Sequence, residues 1–189
     1  MRGLRVTRAG LAPGIACSQY AGWAAALVHG FKVSGSAVLA AAMAEALAGA
    51  ALAERAEWFA GPVVLVPAPS SRGATRLRGY VPARLLAREV ARALRSRGVV
   101  VRVVSAVRLA GAVRDQSVLG RLEREQNLHG KMFVPPHLAL RLASARACGA
   151  RIALFDDVVT TGATLREMSR ALTAAGLSED FFVTFSETF

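Results

Sequence analysis

The apolar positions of this chain form short continuous runs and stripes at three-and-four spacing. Residues 63–66 are one continuous run, bounded by Gly61-Pro62 and Pro67-Ala68-Pro69, which suits a strand buried on both faces of a parallel sheet. The prolines after it force a non-helical loop at the strand's end. Leu85, Leu86, Val90, Ala93 and Leu94 then recur at helical spacing as far as Gly98, and residues 99–104 predict the next strand. Strand, helix, strand in succession implies a right-handed crossover in a parallel sheet. Residues 152–155 repeat the strand pattern, and Leu165, Met168, Leu172 and Ala175 predict a helix stopped by Gly176. Residues 181–185 are short and β-prone, a last strand. Upstream, Val38, Leu39, Met43 and Leu47, supported by Ala42 and Ala46, form the stripe of a helix within residues 33–53, with Glu45 and Glu54 pointing elsewhere. A shorter helical stretch spans residues 20–28, and the two helices would cover one face of the downstream sheet.

A length of 189 residues suits one domain of ordinary size, here residues 61–189, preceded by an N-terminal helical extension over residues 1–60. The 53% hydrophobic content is inflated by alanine, and the apolar stretch 33–53 carries Glu45 near its middle, which argues against a membrane span. Arg2, Arg5 and Arg8 before Leu-Ala-Pro-Gly resemble the start of a signal peptide, but Pro13, Gly14, Ser18 and Gln19 interrupt any apolar core. The expectation is a cytoplasmic chain with no membrane partner. Cys17 and Cys148 make neither a disulfide framework nor a zinc site, and read as small buried residues in a reducing compartment.

Charge is unevenly divided. Against a net charge of +11 for the whole chain, residues 72–131 hold 14 basic and four acidic residues, a net of +10, whereas the chain from Arg151 onward has three arginines and six acids, a net of −3. The basic stretch would attract polyanions: pyrophosphate, nucleotides or single-stranded nucleic acid. Tyr80 and Phe133 are the only aromatics near it, so no base-stacking platform is indicated, and the same charge also serves as a solvated face.

The chemistry concentrates where the run 152–155 meets two adjacent carboxylates, Asp156 and Asp157, then the small-residue loop Thr160-Thr161-Gly162, then a helix. The first N–H groups of a helix have no intrahelical partners, so loop amides, helix dipole and the hydroxyls of Thr160, Thr161 and Thr164 can converge on a phosphate. The carboxylates can accept hydrogen bonds from sugar hydroxyls or ligate a hard cation such as Mg²⁺. Together they suggest a sugar phosphate. Asp and Thr also favour turns and caps with no ligand at all. Neither Gly-x-x-x-x-Gly-Lys-Ser/Thr nor Gly-x-Gly-x-x-Gly is present.

The stretch Leu154-Phe155-Asp156-Asp157-Val158-Val159-Thr160-Thr161-Gly162-Ala163-Thr164 resembles the phosphoribosyl pyrophosphate (PRPP) motif of type I phosphoribosyltransferases. Val66-Pro67-Ala68-Pro69-Ser70 with Arg78-Gly79-Tyr80, and Arg108, Gln116, Leu119, Arg124, Asn127 and Gly130 at their spacings, resemble the ComF (competence protein F) family. The three blocks lie within residues 62–189 in the family's order. The resemblance implies an α/β, parallel-sheet type I phosphoribosyltransferase fold with a flexible hood, here the long, basic and weakly periodic residues 105–131. It further implies Mg²⁺-dependent transfer of phosphoribose from PRPP with release of pyrophosphate, linked in the family to natural DNA uptake. The other class of function is a PRPP-sensing or single-stranded-DNA-handling accessory protein without turnover.

By the same resemblance, Asp156, Asp157, Arg108 and Arg124 are the catalytic residues. Thr160, Thr161, Gly162 and Thr164 hold the 5′-phosphate, with Val158 and Ala163 among the substrate-binding residues; amides around Ala68, Ser70 and Ser71 take the pyrophosphate; Gln116 and Asn127 come in with the hood. Mg²⁺ arrives with PRPP, with Asp156 and Asp157 as candidate protein ligands. Residues 28–32 resemble a lysine-containing stretch of the family, but neither His29 nor Lys32 is assigned a role. The chain departs from the family in Val81-Pro82, where Asn-Gln is usual, in Val113, where Thr is common, and in lacking the paired Cys-x-x-Cys motifs of an N-terminal zinc ribbon. No residue identifies the acceptor.

Overall fold

The computed structural model describes residues 3–110 and 128–188. Eight strands are present among them: β1 (Leu4–Val6), β2 (Gly14–Gln19), β3 (Val63–Pro67), β4 (Val101–Val103), β5 (Arg108–Leu109), β6 (Met132–Phe133), β7 (Arg151–Val159) and β8 (Phe181–Glu187). Six form one sheet in the order β1-β2-β8-β7-β3-β4, parallel throughout except for β1, while β5 and β6 make a separate antiparallel ribbon. The described helices are α1 (Gly22–Ser34), α2 (Ala37–Arg55), α3 (Arg72–Arg78), α4 (Pro82–Arg95), α5 (Pro136–Ala147) and α6 (Ala163–Ala174). The protein is thus α/β with a mostly parallel sheet.

Strand order decides where a ligand can bind. From β3 the chain crosses through α4 to β4 on one side, and from β7 it crosses through α6 to β8 on the other. Winding therefore reverses between β3 and β7, and the crevice outside the C-terminal ends of those two strands is left uncovered by either crossover. Every residue of β3 is buried, as its unbroken apolar run requires, and Leu86, Val90, Ala93 and Leu94 of α4 and Leu165, Met168 and Leu172 of α6 pack into the core.

Three sequence expectations are corrected. Residues 1–60 are not a purely helical extension: β2 joins the main sheet beside β8, with Gly14 opposite Phe182. Gly14 looks like a turn residue after Pro13, yet it is required because a Cβ there would overlap the Phe182 ring. The buried face of α2 is Ala40, Met43, Ala44, Leu47, Ala48 and Ala51, and Val38 is 77% exposed. Small alanines let α2 lie close against α4 and β2 around the buried Met43 and Leu47, while Val38 in its first turn faces solvent. By length and composition Ala37–Phe59 is apolar enough to cross a membrane, but seven of its residues between 40 and 51 face the core. Finally, β7 does not stop before the carboxylates: β8 pairs with it as far as Val159, so Asp156 and Asp157 are strand residues.

The predicted segment 105–131 is only partly described. Near its start β5 pairs with β6, just beyond its end, and this ribbon is clamped to α6: the buried Glu167 accepts the Met132 N–H at 3.0 Å, and Arg170 donates to Met132 O at 2.6 Å. Helix α5 was not predicted, although Pro136 at its start and Leu138 and Leu142 one turn apart mark it.

Gly14→Ala should destabilise the protein by about 1–3 kcal/mol through overpacking against Phe182. Val38→Ala should stay within about 0.5 kcal/mol of wild type. Urea unfolding of both variants checks the placement of β2 and of the buried face of α2.

Candidate functional site

Successive residues of a strand face opposite sides, so the two carboxylates at the end of β7 diverge. Asp157, 5% exposed, turns toward α1, where Lys32 Nζ lies 2.8 Å from its Oδ1. Asp156 turns the other way, and its Oδ1 accepts the backbone N–H of Asp157 at 2.9 Å. Burial, reinforced by the neighbouring Asp157 carboxylate, pushes Asp156 up to about 7, with Lys32 pulling in the opposite direction. Burial likewise disfavours the Lys32 ammonium, but the charge and hydrogen bond of Asp157 outweigh it and hold Lys32 above its ordinary value. Lys32 is a site residue that sequence reasoning did not assign.

Beyond β7, residues 160–162 turn the chain into α6. Gly162 caps the helix at φ +80, a conformation that favours glycine, and Ala163 N–H donates to Thr161 Oγ1 at 3.2 Å. Thr160, Thr161, Gly162, Ala163 and Thr164 are thereby gathered at the N-terminal end of α6, with Val158 half-buried in the strand before them. Arg166 from α6 donates to Thr161 O at 2.9 Å. The loop between β1 and β2 reaches the same place: a Cβ on Gly162 would lie 3.5 Å from Leu11 Cδ1 and 3.8 Å from Arg8 Cγ. Arg8 is anchored there by Glu187 Oε2 at 2.9 Å and Thr188 O at 2.6 Å. The Arg166 guanidinium and the side-chain stem of Arg8 therefore border the threonine loop, and neither was predicted.

Across the crevice, the loop after β3 is stitched to β7 by the Ala68 N–H, which donates to Phe155 O at 2.8 Å. This corrects the expectation for Ala68, whose amide is already engaged, while Pro69 has none to offer. The Ser70 and Ser71 N–H groups have no hydrogen-bond partner among the described residues, and Ser71 Oγ caps α3 by accepting the Ala74 N–H at 3.1 Å. Ser70 lines a cavity of about 280 Å³ with Arg72, Arg84, Ser105 and Arg108, against an apolar wall that includes Val81 and Phe133. Among the described residues no carboxylate lines it and none of the three arginines has an ion-pair partner. Arg108 was predicted. Arg72 and Arg84 were not, because they come from two different helices, and only the fold shows that these face the same space.

Gln116, Arg124 and Asn127 lie outside the described residues. Cys17 is buried in β2, where burial pushes its thiol up to about 11, but Cys148 is exposed after α5, contrary to expectation. Arg92 pairs with Glu89, Arg97 with Glu45 at 2.6 Å, and Arg95 donates to Val101 O at 2.9 Å, so part of the basic excess is used in holding α4. Neither a protein-family model nor a curated protein matches the chain. The chain is an α/β protein with a crevice at the point where its strand order reverses, bordered by the threonine loop on one side and the arginine-lined cavity on the other.

An acid raised by folding binds its proton more tightly folded than unfolded. The folded protein thus holds an extra proton at Asp156 between 3.8 and about 7, and that contribution to stability declines as pH rises through the window. Asp156→Asn should remove it. Urea unfolding at about pH 5 and about pH 7.5 should show wild type losing more stability between the two than the variant does; equal losses would contradict the assignment.

Proposed function

We propose that the chain binds PRPP with Mg²⁺ across the crevice between β3 and β7, on a type I phosphoribosyltransferase fold, and transfers the phosphoribosyl group to an acceptor with release of pyrophosphate. One juxtaposition carries this reading. The threonine loop with its carboxylate pair and the arginine-lined cavity stand at the ends of adjacent strands joined by the Ala68-to-Phe155 hydrogen bond. A sugar with a phosphate at one end and a pyrophosphate at the other meets a complement at each.

The 5′-phosphate goes to the loop 160–164, where amides, hydroxyls and the start of α6 favour an anion. The ribose hydroxyls donate to Asp156 and Asp157. The pyrophosphate takes the Ser70 and Ser71 amides with Arg72, Arg84 and Arg108. In the transfer, the bond from ribose C1 to a pyrophosphate oxygen breaks and its electron pair leaves on that oxygen, while a lone pair of the acceptor forms the new bond to C1. The acceptor's proton passes to a base or to water. The developing negative charge falls among guanidiniums already in place, which is the form of electrostatic stabilisation that needs no reorganisation during reaction. Because the leaving group lies on the β3 side, the acceptor approaches C1 from the direction of β8.

The donor set suits a Mg²⁺ that arrives with PRPP. One oxygen of Asp157 is held by Lys32 and one of Asp156 by a backbone amide, which leaves a second oxygen on each carboxylate. Those oxygens would hold such an ion, and it would supply neutralisation of the phosphate charge.

At Mg·PRPP about 100 times its dissociation constant, the protein should gain roughly 2.7 kcal/mol of stability, read as a rise in the unfolding midpoint. Asp157→Ala should lose most of that gain. Pyrophosphate release from PRPP with a panel of acceptors then separates a transferase from a PRPP-sensing protein. An unshifted wild type, or an undiminished shift in Asp157→Ala, would refute the site.

A further inference from the structure

The ribose and phosphate contacts give no reason for the way α1 ends. Its last turn closes at Gly35, φ +62, whose N–H donates to Phe31 O at 2.9 Å. The Tyr80 hydroxyl sits at the same end, 2.8 Å from Phe31 O and 2.9 Å from Lys32 O, its one proton shared between them. The last carbonyls of a helix lack intrahelical donors, and Lys32 O is one of them, while Phe31 O accepts both the hydroxyl and the Gly35 N–H. The Tyr80 ring also lies over Gly35, where a Cβ would come within 2.8 Å of it, and against the buried Phe31 at 6.4 Å between ring centres. Tyr80 follows Gly79, the left-handed cap of α3, and α3 begins at Arg72, which lines the arginine-rich cavity. A continuous connection therefore runs from the pyrophosphate side, through α3 and Tyr80, to the helix end that carries Lys32, and from Lys32 to Asp157.

We propose that Lys32 is a positioning residue of the ribose site, its ammonium holding the Asp157 carboxylate in the orientation that accepts ribose hydroxyls, and that Tyr80 aims Lys32 by clamping the end of α1. The role rests on the PRPP reading; the Lys32–Asp157 pair itself does not. Lysine has a long stem whose ordering costs entropy, so a lysine that must hold one carboxylate is most effective when the backbone it leaves from is fixed. The other groups facing this corner are Asp156 on β7, Thr184 beside it on β8, Tyr20 after β2, and Arg78 behind Tyr80. Lys32 is thus the ammonium that faces two adjacent carboxylates, and in its absence Asp156 and Asp157 repel one another.

Calorimetry with Mg·PRPP tests the role. Lys32→Ala should bind about tenfold more weakly, the size of one lost charge-assisted hydrogen bond. Lys32→Arg should retain part of the affinity, and Tyr80→Phe, which keeps the ring and loses the clamp, should fall between Lys32→Ala and wild type. Methylammonium in solution should restore Lys32→Ala toward wild type and do nothing for Asp157→Ala, a rescue that a merely structural lysine would not show. If Lys32→Ala does not fold, Lys32→Arg and Tyr80→Phe carry the test, and wild-type affinity in both overturns the proposal. Wild-type affinity in a folded Lys32→Ala, or a loss that methylammonium leaves untouched, overturns it too. A wild type that binds no Mg·PRPP sinks the functional reading as a whole. The pair is then judged separately by a double-mutant cycle of Lys32→Met and Asp157→Asn on unfolding: non-additive effects support it and additive effects overturn it.

Discussion

Outside the C-terminal ends of β3 and β7 the chain winds away in both directions, and neither crossover helix covers the gap. Everything that gives the crevice its character follows from which loops leave those two strands. The β7 loop is rich in small and hydroxyl residues and precedes a full-length helix; the β3 loop is proline-rich and precedes a short one that begins with an arginine. Because Ala68 donates to Phe155 O, the two strand ends keep a set separation. An elongated ligand with two anionic ends is the kind of molecule such a pair of loops can hold.

The charge division seen along the chain has a spatial meaning. The acids after Arg151 include the pair at the end of β7, while the basic stretch supplies Arg72, Arg84 and Arg108 to the cavity. Placing two carboxylates in succession at a buried edge is costly unless a cation answers them. Lys32 supplies that cation from a helix that is itself held by Tyr80. Other basic residues serve the scaffold: Arg170 holds β6 against α6 through Glu167, and Arg97 joins α4 to α2 through Glu45.

Much of this was legible in the sequence where local pattern and burial coincide. The run 63–66, the stripe of α4 and the threonine-glycine turn into α6 all read correctly because continuous apolar runs and three-and-four spacing report buried strands and helix faces directly. The face of α2 did not, since an alanine-rich helix has little contrast around its circumference, and Val38 of the expected stripe is exposed. Strand β2 was hidden because the reason for Gly14 is the Phe182 ring, far away in sequence. Lys32, Arg72, Arg84 and Arg8 were not assigned for a similar reason: each is an ordinary surface letter until the fold brings its partner, or the cavity it lines, alongside.

The central claim is that the loops after β3 and β7 hold one ligand between them. Hydrogen exchange of the wild-type protein with and without Mg·PRPP tests this directly, because backbone amides report each loop separately. The account predicts slower exchange in both residues 70–71 and 160–164 at the same ligand concentration. Protection confined to one loop, or found elsewhere on the sheet, would contradict it.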